Sequence, residues 1–137
     1  MENSTSEENK FEIVEKVPNE KIQSLLKLYS ESTSMEAYVK IPFLLCGVMV
    51  LIHNVFIAGK SYDYSTYESI KTIELSIVGI LVGVVIVIAI IAMIKNAEIK
   101  KGLLEITKRH NIKKEIVQEE FNALGVHLYG GRGVVLK

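Results

Sequence analysis

The sequence has few of the residue patterns that carry chemistry in proteins. Its single cysteine, Cys46, lies inside an apolar run, which predicts packing as a small apolar side chain rather than a disulfide. His110 and His127 have no Cys, Asp or second His at metal-ligand spacing, and no serine or cysteine has a recognisable base partner. Residues 125–132 read GVHLYGGR and lack the Gly-Lys-Ser/Thr ending of a phosphate-binding loop. We therefore expect no enzyme activity, no metal and no cofactor.

An excess of positive charge is also missing, since 16 basic residues balance 16 acidic ones. The order of helix, turn, helix and Gly-bearing hairpin in residues 95–137 resembles a winged helix-turn-helix in pattern. However, the candidate recognition helix, residues 113–124, has two lysines against three glutamates. Phosphate contacts need clustered cations, so we expect no nucleic-acid partner.

A cleavable secretory signal is not recognisable at the start of the sequence. The chain opens with the acidic MENSTSEENK, and the first apolar run begins only near residue 41. Signal peptides instead open with positive charge followed by a short apolar stretch. We expect the first apolar run to be retained in the protein.

Two long apolar runs, residues 41–59 and 75–94, dominate the rest of the sequence. Each is close to the roughly 20 residues that a helix needs to cross the hydrocarbon core of a bilayer. The second run has no polar face, unlike most core helices of soluble proteins. The first contains His53 and Asn54. Both runs are predicted to be transmembrane helices joined by an external loop, residues 60–74.

Basic residues cluster after the second run, where they predict orientation. Lys and Arg near the ends of a span stay on the cytoplasmic side. Both termini are then cytoplasmic, most simply at a cell (inner) membrane, and the same cations are alternatively a binding surface for anionic lipid headgroups. The residues are Lys95, Lys100, Lys101, Lys108 and Arg109.

Small residues predict how the spans pack. Ser76, Gly79 and Gly83 lie along one face of the second span, the two glycines in a GxxxG pattern, and Gly47 lies in the first. Small side chains allow close approach of membrane helices. This face is expected to meet the His53 and Asn54 face of the first span within one chain, to join copies into a homo-oligomer, or to do both.

His53 and Asn54 are polar groups within the first span. Both need a partner, because an unsatisfied polar group in hydrocarbon costs several kcal/mol. A titratable residue in a span indicates a proton or ion site or a pH switch. The alternative interpretation is a histidine that is hydrogen-bonded for packing.

Both termini are predicted to form one small α+β cytoplasmic domain. The N-terminal segment, residues 1–40, has a short strand over 11–17 and an amphipathic helix over 20–31, which SESTS ends before a Thr33–Glu36 capping box starts the next helix. In the C-terminal segment, residues 95–137, one helix is interrupted or weakened at Gly102, a turn follows at 110–111, and a second helix stops at Gly125 before a hairpin. The predicted core consists of Phe11, Ile13, Leu25, Leu26, Ile116, Phe121, Leu124, Val126, Leu128, Val134 and Leu136.

The predicted fold class is thus an α-helical membrane protein, a two-span transmembrane hairpin with a small α+β cytoplasmic domain. The favoured function is that of a non-enzymatic, self-associating regulatory, immunity or accessory component, whose cytoplasmic domain binds a protein partner or small ligand. Two alternatives stay open. The layout resembles small two-span holins and membrane-disrupting defence effectors, which implies a pore-former; a structural subunit of a larger membrane complex is the other.

Overall fold

The computed structural model describes residues 11–137, so residues 1–10 of the predicted N-terminal segment lie outside the described residues. These residues form five α-helices and a π-helical turn, and no strand is present among them. The chain divides into two compact units. The apolar unit is Ser34–Met93, and the terminal unit comprises the described residues through Thr33 together with Ile94–Lys137. The helices are α1 (Glu12–Lys16), α2 (Asn19–Tyr38), α3 (Lys40–Ile52), α4 (Tyr64–His110) and α5 (Lys114–Tyr129), with the π-helical turn at His53–Ile57.

The apolar unit contains the two runs that the sequence marked as spans. Residues 41–57 form most of α3 and the whole π-helical turn, and residues 75–94 lie inside α4. Two helices of the described chain are long and apolar enough to cross a membrane. Large apolar side chains on them, such as Leu44, Leu51 and Ile80, are more than 60% exposed. The prediction of two long apolar helices is confirmed.

The segment joining these helices is shorter than the predicted loop of residues 60–74. Helix α4 already begins at Tyr64. Asp63 precedes it and accepts hydrogen bonds from the backbone N–H of Thr66, at 3.1 Å, and from its hydroxyl. This side chain therefore satisfies one of the backbone donors that a helix start leaves open. Between the π-helical turn and α4, only residues 58–63 are non-helical.

The terminal unit is built from both ends of the described chain around one apolar core. Ile13, Leu25, Leu26, Phe121, Val134 and Leu136 of the predicted core are buried, and Phe11, Ile116 and Leu124 pack against them. Val126 and Leu128 are exposed, contrary to prediction. Further core members come from α2, from α4 after the apolar run, from the start of α5, and from the connections that follow α1 and α4. They are Val17, Ile22, Tyr29, Ile99, Leu103, Ile106, Ile112 and Val117.

The prediction of an α+β domain is wrong, because the described residues contain no strand. The predicted strand of residues 11–17 is mostly the short helix α1. The Glu120 carboxylate of α5 accepts hydrogen bonds from the backbone N–H of Glu12, at 2.9 Å, and of Ile13, at 2.8 Å. These bonds satisfy the donors at the start of α1, so no strand partner is needed. The predicted hairpin is also absent, since α5 continues to Tyr129.

Three predicted helix interruptions are also wrong. Helix α2 continues through SESTS and past Thr33 and Glu36, because each Ser or Thr lowers helix propensity by only a fraction of a kcal/mol, below about 0.7 kcal/mol. Helices α4 and α5 continue through Gly102 and Gly125. The turn at 110–111 does occur: α4 ends at His110, and Asn111 has a φ of 52°.

Candidate functional site

A groove of about 410 Å³ in the apolar unit is lined by residues of α3, of the π-helical turn and of α4. Residues at i, i+3, i+4 and i+7 share one face of a helix. That spacing describes Cys46, Met49, Val50 and His53 on one wall, with Asn54 adjacent, and Lys71, Glu74, Leu75 and Val78 on the other. The groove is therefore mostly apolar and contains four polar side chains.

The central contact joins His53 to Glu74. The Nδ1 atom of His53 lies 2.9 Å from Oε1 and 3.0 Å from Oε2 of Glu74. His53 opens the π-helical turn, in which the N–H of Ala58 donates to the His53 carbonyl at 2.8 Å. When Nδ1 carries the proton and donates to the carboxylate, Nε2 is the acceptor of the neutral ring. The pair thus leaves one ring nitrogen for a proton or a ligand.

Lys71 brings a second charge to the groove wall, one helical turn before Glu74. The groove thus combines one cation, one carboxylate and one imidazole. Sequence reasoning identified His53 and missed both Lys71 and Glu74, because it assigned them to an external loop. Their helical spacing from Lys71 to Val78 was visible in the sequence, as was the Asp63-x-x-Thr66 pattern that begins the helix.

Asn54 has a different partner from its neighbour. Its side-chain N–H donates to the Val50 carbonyl of the preceding turn at 2.8 Å. The sequence placed the His53 and Asn54 face against the glycines of the second span. The structure instead satisfies His53 with Glu74 and Asn54 within its own helical segment.

Among the described residues, the three glycines predicted to pack helices have open space where a side chain would lie. A Cβ atom built at Gly47, Gly79 or Gly83 meets no atom within 4 Å, leaving aside their own helical neighbours. The Ser76 hydroxyl donates to the Thr72 carbonyl of its own helix at 2.8 Å. These residues present an open surface of small side chains, and their role in joining copies stays a prediction.

The predicted basic cluster is only partly free for lipid. Lys95 forms an ion pair with Glu31 in the terminal unit, and this hydrogen bond holds the pKa of the Glu31 carboxyl below its usual range. Lys100 is half-buried, whereas Lys101, Lys108 and Arg109 are exposed. Arg109 lies 3.8 Å from Glu105. The role of these cations in orientation or headgroup binding stays a prediction.

Glu105 is the acidic partner that sequence reasoning missed among these cations. Lys21 of α2 donates to its carboxylate at 3.2 Å, and this hydrogen bond is the main cause that lowers the Glu105 pKa. Arg109 and Lys101 lower it further through their charge. Such exposed ion pairs contribute little to stability, but they reduce the local excess of positive charge on α4.

Within residues 11–137, no group of three or more His, Cys, Asp and Glu side chains is arranged to hold a metal ion. Searches of protein-family models, curated proteins and solved structures found no match to this chain.

Proposed function

We propose that this chain is a two-pass integral membrane protein that self-associates and acts as a non-enzymatic regulatory, immunity or accessory component. The observation that carries the membrane assignment is that the apolar helices are almost entirely exposed within the protein. In α4, none of the 18-residue apolar window is buried by other parts of the protein, and in the segment containing α3 only 6% is. A core helix of a soluble protein is covered by its neighbours, whereas these side chains need lipid to leave water.

The proposed orientation places both termini in the cytoplasm of a cell (inner) membrane and residues 58–63 outside. Lys100, Lys101, Lys108 and Arg109 support it, because they follow the second span. The groove with His53 and Glu74 then lies near the outer end of the spans, close to the water interface. Tyr62 and Tyr64 flank the same end, as interfacial aromatic residues do.

Two features support a regulatory role. The groove combines apolar lining with three convergent ionisable groups, which is the composition of sites that bind small molecules or respond to protons. The open surface at Gly47, Gly79 and Gly83 suits contact between copies. The terminal unit is the proposed site for a protein partner or small ligand, on the cytoplasmic side.

A pore-former is the second candidate, and one observation favours it. Lys71, Glu74 and His53 together place a polar patch on a unit that is otherwise apolar. Polar side chains aligned between copies line water-filled pores. The patch lies at one end of the apolar segment, so a pore also requires the remaining apolar length to open.

Cysteine labelling in intact cells tests the membrane assignment and orientation. In a Cys46→Ala background, Ser61→Cys and Lys101→Cys each introduce one thiol. A membrane-impermeant maleimide is expected to label Ser61→Cys in intact cells and Lys101→Cys only after lysis. The protein is also expected to stay with the membrane after carbonate washing. Recovery in the soluble fraction would refute the assignment.

Self-association is tested on the same protein in detergent. Gly79→Leu/Gly83→Leu is expected to reduce the oligomer seen by native electrophoresis. The matched control is Val84→Leu/Val85→Leu, which adds apolar volume on the opposite side of the same helix. An equal effect of both double variants argues against a contact at the glycines.

A further inference from the structure

The two helices of the apolar unit pack along one continuous seam that includes the His53–Glu74 contact. The helix before His53 is continuous, because the Val39 N–H donates to the Met35 carbonyl at 3.2 Å where α2 passes into α3. Positions seven, eleven, fourteen and eighteen residues before His53, and the same numbers of residues after Glu74, are half-buried or buried, whereas nearly all positions between them are exposed. These positions are Cys46, Pro42, Val39 and Met35 on the first helix and Leu81, Val85, Ile88 and Ala92 on α4.

The seam fixes which residues of the two helices lie at the same depth. Both helices rise about 1.5 Å per residue, so equal numbers of residues counted away from the histidine–glutamate pair reach the same depth. By this count, Lys40 lies beside Val87 and Glu36 lies beside Ile91. Both charged residues are exposed. Charged groups of the first helix thus lie beside the second apolar run, residues 75–94.

The two apolar runs are therefore staggered along the seam. Both helices lack Asp, Glu, Lys, Arg and His only where residues 41–52 lie beside residues 75–86, a length of about 18 Å. The Lys40 amine can point a few Å outward along its flexible side chain. Glu36 is shorter and lies one turn farther along the helix, which limits the apolar length to about 24 Å. The hydrocarbon core of a typical bilayer is about 30 Å thick.

A bilayer of that thickness places ionisable groups in hydrocarbon wherever the hairpin lies within it. A core matched to the first run contains Glu74 and Lys71, which lie beside its outer part. A core matched to the second run contains Lys40 and Glu36. Ionisable groups facing lipid are costly, so the bilayer thins around a short hydrophobic segment or copies of the protein associate to cover these groups.

We propose that bilayer thickness regulates the self-association of this chain, which disperses in a thin bilayer and associates in a thick one. This inference rests on the membrane insertion proposed above, but it does not depend on the glycine surface of the spans. Association reduces the perimeter over which the bilayer must deform. Glu36 and Lys40 carry opposite charges one turn apart on the same face, so neighbouring copies can pair them across a contact.

Energy transfer between full-length copies in vesicles tests the proposal. Chains with Cys46→Ala and Ser61→Cys carry a donor or an acceptor dye and are reconstituted at one protein-to-lipid ratio. The vesicles contain monounsaturated phosphatidylcholines with acyl chains of roughly 14, 18 or 22 carbons. Energy transfer is expected to be lowest in the shortest chains and to rise by about twofold or more in the longest, because the mismatch grows with thickness.

Two double variants determine whether the charged residues set this dependence. Glu36→Leu/Lys40→Leu extends the shared apolar length to residues 34–52 beside residues 75–93, about 28 Å. Its lowest energy transfer is expected to move to the middle chain length. Glu36→Lys/Lys40→Glu keeps both charges at the same depth and is expected to behave as the native chain does. A native profile in the double leucine variant would overturn the proposal.

Flotation of the vesicles separates failure of this inference from failure of the membrane assignment. Protein that does not float with the vesicles refutes the insertion on which the inference rests. Protein that floats but shows the same energy transfer at every chain length overturns the inference alone. Gly79→Leu/Gly83→Leu is expected to keep the dependence on chain length. Loss of that dependence in this variant would assign it to the glycine contact and refute mismatch as its cause.

Discussion

At the scale of single residues, two glycines allow α2 to approach its neighbours in the terminal unit. A Cβ atom at Gly102 of α4 would lie 2.5 Å from Cδ2 of Leu25, and one at Gly125 of α5 would lie 3.1 Å from the Tyr29 ring. Leu25 and Tyr29 are four residues apart on the same face of α2. Tyr29 also packs edge-to-face on Phe121. Each glycine thus lies under one buried side chain of α2.

Gly102→Ala is expected to lower the free energy of unfolding of the terminal unit by up to about 2 kcal/mol. Alanine improves the helix propensity of α4 by about 1 kcal/mol, but the added methyl group overpacks the buried Leu25 side chain. Denaturation in detergent, followed by circular dichroism, measures the change.

The matched control for this substitution is Gly79→Ala in the same helix, where an added Cβ meets nothing within 4 Å. It is expected to be neutral or slightly stabilising. Leu25→Ala combined with Gly102→Ala should be less destabilising than the sum of the single changes, because it removes the methyl groups that clash. A stabilising Gly102→Ala would contradict this account of the glycine.

These glycines also show what the sequence could not disclose. Glycine in a helical pattern is a reasonable sign of weakening or termination, and both positions were interpreted in that way. A glycine that is needed for close packing of two helices looks the same in the sequence as a glycine that ends a helix. Only the location of Leu25 and Tyr29 on another helix decides between the two, and that location is a property of tertiary structure.

At the scale of elements, the start of α4 depends on the ionised Asp63 side chain. The hydrogen bond from the Thr66 hydroxyl is the main cause that lowers the Asp63 pKa below 3.8, and the Thr66 backbone N–H adds to it. A lowered pKa means that the stabilising contribution is present above the ordinary pKa. It is lost as the pH falls below 3.8 and through the pKa of the folded state.

Asp63→Ala is therefore expected to fray the first turns of α4, seen as faster amide hydrogen exchange at Tyr67 and Glu68. In the native chain, the same amides are expected to lose protection only in acid, as Asp63 gains a proton. Asparagine at position 63 can still cap the helix, but it does not titrate. In Asp63→Asn, the amides of Tyr67 and Glu68 should therefore stay protected from exchange at neutral pH and should not lose that protection in acid. Equal exchange in all three chains at neutral pH would contradict the capping role.

The apolar periodicity of each segment could be identified in the sequence, but the groups that its backbone contacts could not. The pattern around Val134 and Leu136 correctly predicted that both side chains are buried, but the hairpin strand predicted for them is absent. Their backbone partners are the amides of Gln118 and Asn122 on a helix, which no strand pattern encodes. Likewise, FEIVEKV reads as a strand until the Glu120 carboxylate, more than one hundred residues away, is available to satisfy the start of α1.

At the scale of the whole molecule, the sequence predicted that both termini build one unit and that two apolar helices form another. It assigned the core of the terminal unit only in part. Ile99, Leu103 and Ile106 continue at helical spacing after the second apolar run, and all are buried. Their apolar character resembles a continuation of the span, so composition alone does not separate residues that face lipid from residues that face protein.

The last prediction concerns membrane integrity, which separates the regulatory proposal from the pore. On induced expression in bacterial cells, the native chain is expected to leave membrane potential and small-dye retention unchanged. The reason is the distribution of charge: residues 75–94 carry no ionisable group along the length of the second span, and the cluster of Lys71, Glu74 and His53 lies at one end. Lining a water-filled path with this span alone would expose apolar side chains along most of its length.

Labelling of the Ser61→Cys variant, expressed in parallel under the same conditions, verifies insertion, so that an intact membrane is not due to protein that failed to reach it. Rapid depolarisation by the native chain would favour the pore instead. If Gly79→Leu/Gly83→Leu then abolished the leak while Val84→Leu/Val85→Leu did not, the pore would be assembled through the glycine surface. If Glu74→Gln alone abolished it, the charged groove would line the path, because the substitution preserves the shape of the side chain and removes its charge.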